Sequence, residues 1–144
     1  MNTIKLVILT VVITVLSAVT VLAQDAPTVD LVGVTWLWER FDDTADMNNI
    51  VVDDPSLYTL LLNPDGTYEI TADCNLASGQ YTLEGSLISF EPGPTTLAEC
   101  EPGSLYDTYL TRLGEAATFV MDGDNLVLNL WADAGNMVFT PAQQ

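Results

Sequence analysis

The sequence predicts a mainly β protein of the α+β class: a curved antiparallel sheet or partial barrel of about eight strands with one packed helix. Three observations lead there. Apolar and polar residues alternate in short runs. The runs are separated by tight turns rich in Gly, Asp and Asn. One segment alone carries its apolar residues at helical spacing.

A leader precedes these runs. Lys5 is followed by an apolar run over 6–22, and Val21 and Ala23 precede Gln24 and Asp25. Modest side chains at the −3 and −1 positions suit signal peptidase. Residues 1–23 are therefore expected to be a signal peptide, 24–32 a linker, and 33–141 the working domain. The alternative is a retained N-terminal membrane anchor, because 4–23 is long enough to cross a bilayer. Thr10, Thr14, Ser17, Thr20 and the cleavage site favour removal. The protein is expected to be exported: secreted, periplasmic or on the cell surface.

The first strand covers 34–41, with Val34, Trp36 and Trp38 on one face. An acidic loop over 42–55 follows, with a short edge strand at most around Ile50, Val51 and Val52. Strands 58–62 and 67–72 flank Asn63-Pro64-Asp65-Gly66, which suits a type I turn with a Gly bulge. Strands 79–83 and 87–90 flank Glu84-Gly85-Ser86. Strands 118–121 and 125–131 flank Asp122-Gly123-Asp124. A turn at 133–136 leads to the last strand, 137–140, which Pro141 ends. The helix is expected over 104–113. Ser104 and Asp107 resemble a capping box, and Tyr106, Tyr109, Leu110 and Leu113 form one stripe. Gly114 is placed to supply a left-handed cap. So short a helix is not stable alone in water, so its stripe must pack on the sheet.

Charge narrows the partners. Three basic residues face 20 acidic ones, for a net charge of −17, and there is no His. Loss of the leader removes Lys5, leaving Arg40 and Arg112 as the only basic side chains. Such a surface excludes nucleic acid, which needs a basic footprint, and disfavours anionic membrane. It permits a cationic partner or weak divalent cation binding. The simpler reading is solubility, with self-repulsion keeping a monomer.

The two cysteines, Cys74 and Cys100, lie in the exported part, where disulfides persist. One structural disulfide is expected; two free buried thiols are the alternative. A CxxC redox pair or a zinc site would need closer spacing or more ligands.

Catalytic machinery is sparse. Without His or Lys in the mature chain, the common general bases and Schiff-base nucleophiles are missing, and no Gly-x-Ser-x-Gly elbow occurs. The acidic residues fall mostly in turns, where pairs of them are solvated surface. No enzyme activity, catalytic residue or cofactor is expected. Asp122-Gly123-Asp124-Asn125 and Asp42-Asp43 offer oxygen ligands, but no calcium loop with a closing Glu appears. No metal-site residue is assigned. Trp36, Trp38 and Trp131 could line a cavity, although strand aromatics are more often core.

Several short motifs then occur in a fixed order. A Trp-x-Trp strand opens the domain. Tyr-Thr-Leu-Leu-Leu-Asn-Pro-Asp-Gly-Thr-Tyr leads to Ala-Asp-Cys-Asn at 72–75 and Gly-Gln-Tyr at 79–81. Thr96 and Cys100 close a Thr-x-x-x-Cys segment ahead of the helix. Gly-Asp-Asn-Leu-Val-Leu and Met-Val-Phe follow. Over about residues 33–140 this chain resembles the META/HslJ family of small exported bacterial domains. It departs from many members in having Asp73, not Gly, before the Cys-Asn pair. The resemblance implies an antiparallel β fold curved toward a partial barrel, with one helix and no catalytic residue set. Asn75, Gly79, Tyr81 and Thr96 carry the family motif in structural roles: Asn75 as a turn residue, Gly79 as permissive backbone, Tyr81 as a wall of the core.

The function expected from this is a non-enzymatic secreted or cell-envelope domain. It would support stress tolerance or envelope integrity through an unknown protein partner, bound by loops such as 42–55 and 91–103. The alternative is a small-ligand carrier, using Trp36, Trp38 and Phe139 on the concave face of the sheet.

Overall fold

The computed structural model describes residues 31–44 and 47–143. The signal-peptide expectation for 1–23, and residues 24–30 of the expected linker, lie outside the described residues. Among the described residues no helix is long and apolar enough to cross a membrane.

Nine strands form one antiparallel sheet: β1 (Thr35–Asp42), β2 (Ile50–Val51), β3 (Tyr58–Leu62), β4 (Thr67–Ala72), β5 (Asn75–Glu84), β6 (Leu87–Thr95), β7 (Ala116–Asp122), β8 (Asn125–Leu130) and β9 (Asn136–Pro141). Their order is β2-β1-β3-β4-β5-β6-β7-β8-β9, and β1 also pairs with β9, so the hydrogen-bonded neighbours run round a ring. β1 makes the closure. Its first residues pair with β3, its later ones with the short β2, and most of its length with β9. The weakest seam is β6–β7, where Leu87↔Thr118 is the one ladder pair. The Phe119 amide adds a bond to the Ser86 carbonyl at 2.9 Å.

The alternation seen in the sequence explains which face turns inward. Trp36, Trp38, Leu60, Leu62, Leu126, Leu128, Met137 and Phe139 are all fully buried. Leu31 and Val32, expected in the linker, also pack on this core, and the Trp36 indole donates to the Leu31 carbonyl at 3.0 Å. The expected turn at Asn63–Gly66 forms: Gly66 adopts φ +85° and its amide bonds the Asn63 carbonyl. The Asp65 carboxylate accepts from both the amide and the hydroxyl of Thr67. The hydroxyl bond, first, and then the amide bond hold its pKa below the usual carboxylate value.

The one α-helix among the described residues, α1 (Tyr106–Gly114), joins β6 to β7 and packs Tyr109 and Leu113 into the core. Tyr109 stacks on Trp38, with ring centroids 5.0 Å apart, and meets Tyr58 edge-on at 5.7 Å. The Arg112 guanidinium lies 4.7 Å from the centre of the Phe41 ring and pairs with Glu115.

Three expectations need correction. The helix starts at Tyr106, not at 104, and no capping box forms. The Ser104 hydroxyl accepts from the Tyr106 amide, while the Leu105 amide is taken by the Tyr58 hydroxyl at 2.8 Å. Gly114 is not a left-handed cap. It ends the helix in helical geometry, and the Glu115 amide closes back onto Arg112 because β7 begins at Ala116. Finally, residues 91–95 are not loop but the second half of β6, paired with β5.

Candidate functional site

The residues singled out by the sequence lie along one strand, β5, in two clusters. At its start, β4 reverses into β5 through Asp73 and Cys74, with Ala72 opposite Asn75. Asp73 adopts φ +56°, a conformation glycine takes freely and Asp tolerates better than most residues. This accounts for Asp73 being accommodated where the family resemblance led one to expect Gly. The Asp73 amide donates to the Leu57 carbonyl at 2.7 Å, which fixes the turn against the end of a short 3-10 turn, Pro55–Leu57.

Cys74 and Cys100 form the disulfide, with Cα atoms 5.5 Å apart. Free thiols, the alternative, are thereby excluded. Beside the bond sits Asn75, the one fully buried polar side chain among the described residues. Its Oδ1 accepts from the Ala98 amide at 2.8 Å and from the Thr96 hydroxyl at 2.9 Å. Its Nδ2 donates to the Ala98 carbonyl at 3.0 Å and lies 3.3 Å from Cys100 Sγ. Thr96 completes the knot by accepting from the Leu76 amide at 2.9 Å and donating its own amide to the Leu76 carbonyl. Asn75 is therefore not a turn residue. It is an internal clamp whose amide pairs with both the amide and the carbonyl of Ala98, as a strand partner would.

The second cluster lies further along β5. Gly79 is not needed for its backbone freedom. A Cβ there would stand 2.2 Å from the Glu91 carbonyl oxygen and 2.6 Å from the Tyr68 hydroxyl, so the reason for Gly is close approach of β6 and the Tyr68 ring. Tyr81 packs half-buried against the core. Its hydroxyl donates to the Asn63 carbonyl at 2.7 Å and its amide to the Gly66 carbonyl at 2.9 Å. Tyr81 thus ties the β3–β4 turn to β5. Burial, first, and the Asp65 charge beside it push its phenol pKa up.

Chemically, the Asn75–Thr96–disulfide knot is closed. Each donor and acceptor of the Asn75 amide meets a protein group, so the knot holds structure and presents nothing to a substrate. Among the described residues no group of three or more His, Cys, Asp or Glu is placed to hold a metal ion. Asp122 pairs with Asn125 across a two-residue hairpin loop.

The aromatic residues behave differently from one another. Trp36, Trp38 and Phe139, which motivated a carrier, fill the inside of the ring and are 0% exposed. The concave face is core, not a ligand wall. Trp131 lies outside β8, in a short 3-10 turn, Trp131–Asp133, and is 75% exposed. Leu126, Leu128 and Leu130 face inward and the residues between them outward, so Trp131 continues the outward parity just past the end of the strand. Trp131 borders an open groove of about 470 Å³ over the β6–β7 seam, together with Thr82, Glu84, Leu87 and Ala117. The sequence named Trp131 as a possible cavity wall but favoured core for it, and did not place this groove. The signal within reach was Leu87, an apolar residue in a strand position alternating with Ile88.

Comparisons with known proteins agree with the fold. The META domain family profile matches residues 29–144. No curated protein sequence gives a significant match. An NMR structure of a protein from Burkholderia xenovorans superposes with a TM-score of 0.61 at 21% identity, covering 79% of this chain and 85% of that one. A crystal structure of a DUF4847 family protein from Bacteroides vulgatus gives 0.59 at 14% identity, over 77% of this chain and 94% of that one. At these identities the two structures speak for the fold alone. The profile match spans most of the sequence and the motif cysteines, Asn75 and Thr96 within it, and this chain belongs to the META domain family.

Proposed function

We propose that the domain works without catalysis, as an exported interaction module of the cell envelope that supports other proteins or the surface under stress. The observation that carries this reading is the filled interior. Trp36, Trp38 and Phe139 occupy the inside of the ring, packed with Tyr58 and Tyr109. A domain with no interior to load does its work on its outer surface. Family membership supports an envelope role, and the exposure of Met47, Val51 and Leu97 supports contact through the acidic loop and the segment after β6.

The test is cross-linking in the native host, with a photoreactive residue at position 51 or 97, beside a deletion strain grown under envelope stress. A specific cross-linked protein and a stress defect rescued by the wild-type gene are expected. No cross-link together with no defect removes the reading. The carrier alternative makes a separate demand: protein purified from its own host should carry a small molecule in native mass spectrometry. On the present reading the mass is that of the protein alone.

A further inference from the structure

Trp131 is held in an exposed position by a turn built for it. Its amide donates to the Glu115 carbonyl at 2.9 Å, and the Ala134 amide returns to the Trp131 carbonyl. Ala132 and Asp133 both adopt left-handed backbone, φ +57° and +56°, without being glycine. Two consecutive residues in that region are strained, and such strain persists where the surroundings impose it. The product is a fixed backbone at Trp131, which is 75% exposed and lines one groove with Leu87, itself 54% exposed. Both border the groove over the β6–β7 seam, which Thr82, Glu84 and Ala117 also line.

Charge complementarity identifies the occupant. Both arginines of the described domain are already engaged, Arg40 with Asp42 and Arg112 with Glu115 and Phe41. The chain carries −17 overall, so its carboxylates find few cations inside the molecule. An aromatic side chain sharing one groove with an acidic residue and an apolar strip suits a guanidinium or ammonium group on an aliphatic stem.

We infer that the Trp131 groove binds a basic peptide segment of a partner protein, in which an Arg or Lys neighbours an aliphatic side chain. The aliphatic group covers Leu87 and Ala117. The cation rests on the Trp131 indole within reach of Glu84. This rests on the interaction-module reading and names one surface for it.

The emission of the protein makes the test direct. Trp36 and Trp38 are wholly buried, so acrylamide quenching reports Trp131. The probe is a short synthetic peptide alternating leucine and arginine. Its controls replace arginine by the neutral isostere citrulline, or leucine by glycine. Protection of Trp131 by the first peptide, and much less by either control, is expected. Trp131→Ala should weaken calorimetric binding of the first peptide roughly 10-fold, and Glu84→Gln roughly 5-fold, since cation–aromatic and paired-charge contacts at a partly desolvated site have that size. Because Trp131 is mostly exposed, its truncation leaves folding intact, which circular dichroism verifies.

Equal protection by the citrulline peptide overturns the cationic assignment. Unchanged affinity in Trp131→Ala overturns the site and leaves only diffuse attraction to an acidic surface. Protection that grows with protein concentration, with no peptide added, overturns it in favour of a second copy. If the partner cross-linked from position 51 or 97 still binds Trp131→Ala at full strength, the groove inference fails while the interaction-module reading stands. A missing cross-link and a missing stress defect remove both.

Discussion

At Asn75 a single side-chain amide does the work of a strand partner. Removing it takes away the partner of the Ala98 amide and carbonyl and one bond of the Thr96 hydroxyl, all in a part-buried place, and empties the buried space the Asn75 side chain fills. Leaving buried polar groups unpaired costs about 1–3 kcal/mol each, with partial relief from water. Asn75→Ala should therefore lower unfolding stability by about 2–4 kcal/mol in urea titrations. Asn75→Asp keeps the shape but loses the donor and buries a charge, and it should be worse at pH 7 than at pH 4. Gly79→Ala probes a different force. Its methyl would overlap the Glu91 carbonyl and the Tyr68 ring, so β5 and β6 must separate. A loss of about 2–4 kcal/mol is expected in the same titration, in the range of overpacked cores. The sequence showed both residues to be special but misread why. A polar residue after a cysteine looks like a turn, and a glycine in a strand looks like freedom. Burial and close approach arise only when residues 91–100 fold back over β5, and no local pattern encodes that.

At the scale of elements, α1 closes the aromatic cluster of the core. Tyr109 brings a cost with it: its hydroxyl is buried with no hydrogen-bond partner among the described residues. Tyr109→Phe removes that orphan while keeping the stack on Trp38, and should be neutral or stabilising by about 1 kcal/mol. Burial also pushes the Tyr109 pKa well above its ordinary value of 10.0. The folded state thus holds the phenol proton more tightly than the unfolded chain. The associated stability is intact below about pH 10 and is lost as pH rises above it. Denaturation followed from pH 8 to 11 should show this loss, and Tyr109→Phe should flatten it; a residual slope from Tyr68, also raised by burial, is expected. The helix was legible because its stripe is helical in period, and so were β1, β3, β4 and β8, where large apolar residues alternate. The first part of β5 and the last part of β6 were not. Asn75-Leu76-Ala77-Ser78 lacks β-branched residues, and Pro92, Gly93 and Pro94 read as loop. Those prolines are tolerated because β6 meets β7 only at Leu87, so its far half pairs on one side.

For the whole molecule, ring closure and charge pull in opposite directions. The disulfide and the β1–β9 pairing draw distant parts of the chain together, while the chain's 20 carboxylates repel one another. Reduction of Cys74–Cys100 should cost about 3 kcal/mol by releasing a closed loop in the unfolded chain. The same reduction should make Asn75→Ala less damaging, because both hold the segment around Ala98; a double-mutant cycle reads that coupling. The repulsion is a separate lever. Ions screen exposed charges over about 10 Å at 0.1 M salt, so adding salt removes a penalty that the folded state bears more heavily than the expanded one. The melting temperature should rise with sodium chloride, most steeply below about 0.2 M, and then level off. Two arginines already bound in local pairs give salt little to disrupt, so screening acts almost wholly on repulsion. Calcium separates screening from binding. At matched ionic strength, calcium and magnesium chloride should give the same melting temperature if divalent cations only screen. A larger rise with calcium at low millimolar concentration would instead assign it a specific site on the acidic turns, and Asp124→Asn or Asp42→Asn would then abolish the difference.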